Sequence, residues 1–116
     1  MVNTIKRTYE RMKIVDIGFS IEKNTLVVKI RGEIDAGSTD MLRRKIDIEY
    51  DCANVRDMTF DLKEVSFMDS SGIGLIIGRY KRVSALGGCI RIKGANKTLR
   101  RIIELSGLGR IVKSDD

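Results

Sequence analysis

The sequence predicts an α/β fold in which a mixed β-sheet opens with an antiparallel hairpin, continues in parallel strands and carries helices packed on it. Three observations point there. Two β-type runs near the start are separated only by "EKNT". After residue 55, strand-type and helix-type patterns alternate twice, the order of parallel crossovers. No apolar run approaches the roughly 18 residues that cross a bilayer, which leaves a water-facing domain.

The elements follow in order. In the first run, 14–21, Ile17, Phe19 and Ile21 alternate with Gly18 and Ser20, the period of a half-buried strand. The second run, 25–31 ("TLVVKIR"), is β-branched and reads as more fully buried. In "GEIDAGSTDMLRRKIDIEY", Asp35, Ser38 or Thr39 can cap a helix from about 39 to 50. Its Leu42, Ile46 and Tyr50 recur at i, i+4 and i+8. "VRDMTFDL" alternates Met58, Phe60 and Leu62 as a third strand over 55–62. Residues 71–86 place Ile73, Ile76, Ile77, Tyr80 and Val83 at helical spacing, and "LGG" stops that helix. A fourth strand "CIRIKG", a helix from about 97 to 106 and a short apolar "RIV" complete the pattern.

The length of 116 residues corresponds to one domain. Residues 1–13 read as a basic N-terminal extension, and 14–116 as the domain itself. The chain has no histidine, which removes Ser-His-Asp and Cys-His catalysis and histidine metal sites. An enzyme, a metal and a cofactor are therefore not expected. Cys52 and Cys89 lack CxxC spacing, which points to reduced thiols and a cytoplasmic setting. The basic start has no apolar core behind it, so it is not a secretory signal, and no membrane partner is expected.

The net charge of +6 is unevenly spread. Residues 33–69 hold ten acids and five bases, whereas 79–101 hold eight bases and no acid. This predicts either a two-faced surface that steers a charged partner or a solvated basic helix face. Nucleic acid is not expected, because the basic segment offers no stacking aromatic beyond Tyr80.

The most informative stretch is "VSFMDSSGIGLIIG", residues 65–78, where a strand hands over to a helix. Gly72-x-Gly74 is in the right context for a dinucleotide loop, but the third glycine is Gly78 and no acid follows at the expected distance. Ser70 has no histidine partner and no GxSxG elbow, which argues against a nucleophile. Asp69 and the serines suit a helix cap. One cap needs only one such residue, however, and glycine inside a helix costs about 0.5–1 kcal/mol relative to alanine. The surplus hydroxyls and glycines point to a surface shaped for a partner.

The stretch "VSFMDSSGIGLIIGRYKRVSALGGCIRI" resembles the STAS domain of anti-sigma factor antagonists, most of all the sporulation type. The similarity extends to "LVVKIRGEID" before it and "LRRIIELSGLGRIV" after it, about residues 14–113. The resemblance implies a STAS-like mixed sheet and a protein that binds an anti-sigma factor, itself a serine kinase, to free a sigma factor. It implies phosphorylation of Ser70, which switches the protein off, and reversal by a serine phosphatase. The residues alone do not choose between Ser70 and Ser71. The implied docking face is the loop of Asp35, Ala36, Gly37 and Ser38; beside it Asp69, Ser71, Gly72 and Ile73 are read as partner-binding, with Ile73 either an apolar anchor exposed at the helix start or a core residue. Asp35 is also read as a helix cap. Many sporulation-type members carry histidines where this chain has Ala36-Gly37, and members continue into a C-terminal helix where this sequence reads "KSDD". The alternative function is a nucleotide-binding STAS variant or weak nucleotidase.

Overall fold

Lys23 adopts a left-handed φ of 58°, which reverses the chain within two residues and brings Glu22 opposite Thr25. The computed structural model describes residues 15–114. The expected extension at 1–13 lies outside the described residues. Strands β1 (Val15–Glu22) and β2 (Thr25–Ile34) form the antiparallel hairpin. The chain then alternates α1 (Thr39–Ala53), β3 (Asp57–Met68), α2 (Ser70–Ala85), β4 (Ile90–Lys93) and α3 (Lys97–Ser106). A short 3-10 turn at Leu108–Arg110 leads into β5 (Lys113–Ser114). The sheet order is β1-β2-β3-β4-β5, and every pairing after the hairpin is parallel. The mixed sheet read from the sequence is the one observed.

The register sets the core. Leu26, Met58 and Ile90 stand in one row across β2, β3 and β4, and Val28, Phe60 and Ile92 in the next. Against these rows pack Leu42, Ile46 and Tyr50 of α1, Ile73, Ile76 and Val83 of α2, and Leu99 and Ile103 of α3. The i, i+4, i+8 stripe of α1 is thus its buried face. Burying one such aliphatic side chain contributes about 1.5–3 kcal/mol, so this single cluster supplies most of the stabilisation.

Both central strands are longer than expected. β2 reaches Ile34 and β3 reaches Met68, six residues beyond the third strand read from the sequence. The reason is physical. The β2–β3 ladder shifts register between Lys29 and Arg31 and again between Gly32 and Glu33. Each shift places one extra residue in β3, so its buried positions run Leu62, Val65, Met68 instead of every second residue. A period-2 reading stops where the first shift begins.

The opposite charges of the acidic and basic segments meet inside the fold. Arg79 of α2 is only 6% exposed, and its Nε lies 3.0 Å from Asp47 Oδ1 of α1, an ion pair without hydrogen-bond alignment. Arg82 reaches Asp47 at 2.9 Å and Asp51 at 2.6 Å and lies over the Tyr50 ring. Burial lowers the Arg79 pKa while Asp47 opposes that shift, and the hydrogen bond to Asp51, with Asp47 close by, raises that of Arg82. Part of the predicted charge asymmetry is therefore a clamp between two helices, not a free basic face. Cys52 and Cys89 are both free thiols.

The N-terminus of α2 sits close to the sheet. A Cβ on Gly72 would lie 2.3 Å from Met68 Cγ and 3.0 Å from Ile34 Cγ2, whereas one on Gly74 would meet nothing within 4 Å.

Two predictions follow from this packing, both read by chemical denaturation. Asp47→Ala, which strands the buried Arg79, costs about 2–4 kcal/mol, while Asp51→Ala at the exposed end of the clamp costs about 0–1 kcal/mol. Gly72→Ala costs about 1–3 kcal/mol by overpacking, and Gly74→Ala gains about 0.5–1 kcal/mol of helix propensity.

Candidate functional site

Because β2 and β3 run parallel with Ile34 opposite Met68, the turns that follow them emerge side by side. The Asp69 N–H donates to Ile34 O at 3.2 Å and ties the two turns together. One turn carries Asp35 to Ser38 and enters α1; the other carries Asp69 and enters α2.

In the first turn, Asp35 Oδ1 accepts from the Gly37 N–H at 3.0 Å. The Asp35 carbonyl accepts from the N–H groups of Ser38 and Thr39. Ser38 Oγ accepts from the Asp35 N–H at 3.1 Å and bonds back to the Asp35 and Glu33 carbonyls. Ser38 stands at the N-cap position of α1 but makes no side-chain cap bond. It is buried, and fastens the turn from beneath. Ala36 and Gly37 are exposed at the tip, and Asp35 is half-buried.

In the second turn, Asp69 is the N-cap of α2. Its backbone is extended, and Oδ1 accepts from the Ser71 N–H at 2.8 Å. Its carbonyl accepts from the Gly72 and Ile73 N–H groups at 3.0 and 3.4 Å. The helix therefore begins at Ser70, one residue before the predicted start. This is the step the sequence left open, and it separates the two serines. Ser70 is exposed on the first helical residue. Ser71 is half-buried, its N–H engaged, beside an open groove of about 390 Å³ lined by Thr39, Asp40 and Arg43 of α1 and by Gly74, Leu75, Gly78 and Arg79 of α2.

Of the two readings of Ile73, exposed anchor or core residue, the structure shows the core: it is 8% exposed. At helical spacing it shares the buried stripe with Ile76 and Val83, which the first turn does not interrupt. Gly72 is likewise buried, held against Met68 and Ile34. The exposed rim thus comprises Ala36, Gly37 and Ser70, with Asp35, Asp69 and Ser71 partly reachable; Ser38, Gly72 and Ile73 lie beneath it. Phe67, two residues before Asp69, borders the second turn and is 44% exposed, which the sequence did not anticipate. The aromatic in "FMDSSG" was the available signal, hidden by the register shift.

Chemically, the site presents a hydroxyl beside a carboxylate that is already committed as a helix cap. Among the described residues, no three His, Cys, Asp or Glu side chains are grouped to hold a metal. The Asp69 carboxylate occupies the Ser71 N–H that a bound phosphate would otherwise use.

The geometry agrees with known proteins. The STAS domain profile matches residues 16–116. An anti-sigma F factor antagonist of Paenibacillus polymyxa is 34% identical over 90 residues, covering 78% of this chain and 77% of its own. The unphosphorylated form of the anti-sigma factor antagonist SpoIIAA superposes with a TM-score of 0.75 at 27% identity, over 87% of this chain and 89% of that one. The phosphorylated form of Bacillus SpoIIAA gives 0.68 at 27% identity, over 87% and 92%. Family profile, relative and fold converge: the chain belongs to the STAS-domain anti-sigma factor antagonists.

Proposed function

We propose that this protein is a phosphorylation-controlled antagonist. Unphosphorylated, it binds an anti-sigma factor that is also a serine kinase, and a sigma factor is thereby released. A phosphate on Ser70 ends that binding, and a serine phosphatase restores it. The exposed turns carrying Asp35, Ala36 and Gly37 and Asp69, Ser70 and Ser71 form the docking face, on a frame fixed by Ser38, Gly72 and Ile73. The free thiols of Cys52 and Cys89 suit the reducing cytoplasm in which such an exchange takes place.

One observation carries this reading: Ser70 stands exposed on the first residue of α2, while its neighbour Ser71 is half-buried and bonded to the cap. A kinase can reach the first and is hindered at the second. Phosphorylation adds about −1.5 to −2 charge at neutral pH. At the start of α2 the helix dipole and exposure to water accommodate that charge, so the free phosphoprotein keeps its fold. SpoIIAA, solved in both forms, superposes on this chain in each. Pressed against a partner, the same charge adjoins Asp69 and loses its water. Each penalty of about 1.4 kcal/mol weakens binding tenfold, so a few kcal/mol make a switch. Neither the site nor these relatives favour the nucleotide-binding alternative.

Incubation with the anti-sigma factor kinase of the source bacterium and ATP, followed by mass spectrometry, is expected to place a single phosphate on Ser70. Ser70→Ala accepts none and binds the kinase as tightly as the unmodified protein; Ser70→Asp binds it at least about tenfold more weakly. Phosphate found only elsewhere, or unchanged affinity in Ser70→Asp, would overturn the reading.

A further inference from the structure

Packing accounts for Gly72 but for neither of the two glycines that follow it in α2. A Cβ on Gly74 or on Gly78 would meet nothing within 4 Å, and glycine inside a helix weakens it. Four residues apart, the two share one side of the helix and border the open groove of about 390 Å³ between α1 and α2. A side chain at either position would narrow that groove. Thr39 and Ser71, at the starts of the two helices, border the end of it that adjoins the docking turns. Two buried residues also line it, Leu75 at 5% and Arg79 at 6% exposure. The Arg79 Nε faces Asp47 as an ion pair but makes no hydrogen bond, although a guanidinium is built to donate several. On the α1 wall, Arg43 shares the Asp40 carboxylate with Arg44, whose Nη1 lies 3.0 Å from it.

We infer that this groove seats an acidic side chain of the anti-sigma factor, carried on a segment that approaches closely over Gly74 and Gly78. The inference rests on the docking function given above and names what the partner brings to it. Continuity argues for that partner, because Ser71 belongs both to the docking turn and to the groove. Charge argues for the acid. Each carboxylate of the helix pair is already matched by an arginine, and Asp40 by two. An incoming carboxylate therefore meets Arg43 and Arg79, and the buried guanidinium gains the acceptor that its ion pair does not align. Charge complementarity of this kind fixes register and speeds association. The glycines then have a purpose, since a bare helix surface lets a partner's backbone come within reach of groups this deep. The same arrangement sharpens the switch. Ser70 lies one helical turn before Gly74, on the same side of α2. A phosphate there stands at the mouth of the groove and repels the carboxylate that would enter it.

The test measures binding of the full-length protein to the purified anti-sigma factor of the source bacterium without ATP, with thermal melts as a check of folding. Gly74→Ala is expected to weaken binding about 3- to 10-fold and Gly74→Leu at least about 30-fold. Neither lowers the melting temperature, because the added atoms enter open space and helix propensity rises. Ser84→Leu, at an exposed position of α2 outside the groove, stays within about twofold. Arg43→Gln weakens binding about tenfold at low salt and about two- to threefold at about 0.5 M salt. If Ser70→Asp loses binding and Gly74→Leu keeps it, the groove is not the seat and the docking function stands. If Gly74→Leu loses binding but Arg43→Gln is unchanged at low salt, the acidic occupant is wrong. If the unmodified protein does not bind, or Ser70→Asp binds as well as the unmodified protein, both the seat and the docking function fall.

Discussion

The first turn of α2 rests so closely on the ends of β2 and β3 that a single methyl group at position 72 has no room between Met68 and Ile34. This contact brings the Asp69 N–H to the Ile34 carbonyl and the Asp69 carboxylate to the Ser71 N–H. Those two bonds in turn set the helix to begin at Ser70. A looser seat would let the turn sample several arrangements, and a partner would then have to select one at an entropic cost. The seat itself depends on the second register shift, which turns Met68 inward. A strand irregularity, a glycine and a cap thus act as one device that presents one hydroxyl to solvent.

On the proposed reading, that presentation lets a charge at Ser70 alter affinity without altering the fold. The core rows that hold the sheet end at residues already buried and paired, and the added anion lies outside them. The α1–α2 clamp works in the same direction. Asp47 and Asp51 are matched by Arg79 and Arg82, so the helix pair does not depend on the charge state of the turn. The groove beside Ser71 carries the further pair Asp40–Arg43 on its α1 wall. The charges along the helix pair are thus matched within the fold, and on the proposed reading a new one at the helix start, beside Asp69, is felt chiefly by whatever lies against it.

Much of this was legible in the sequence because the physics involved is local and periodic. The apolar stripe of α1, the alternation around Phe60 and the tight hairpin each declare themselves within a dozen residues. What stayed hidden depends on pairing between distant segments. The last six residues of β3 break the two-residue period because β2 runs beside them one residue short, twice. The same shift concealed the outward turn of Phe67, whereas Ile73, open in the sequence between anchor and core, continues the buried stripe of its own helix. Ser70 and Ser71 are chemically identical in sequence; only the position of Asp69 as the cap separates them. The charge asymmetry was visible but only part of its meaning was, since a one-dimensional count cannot show that Asp47 and Asp51 of the acidic segment face Arg79 and Arg82 of the basic one across two helices.

The central claim is that phosphate on Ser70 acts as a local charge and not as a trigger for refolding. Amide chemical shifts of the fully phosphorylated protein, compared residue by residue with those of the unmodified protein, test it most directly. The account predicts changes confined to the two turns and the first helical turn, roughly residues 33–39 and 66–75, with the rows built on Leu26, Val28, Met58 and Phe60 unmoved. Shifts spread through those rows would contradict it.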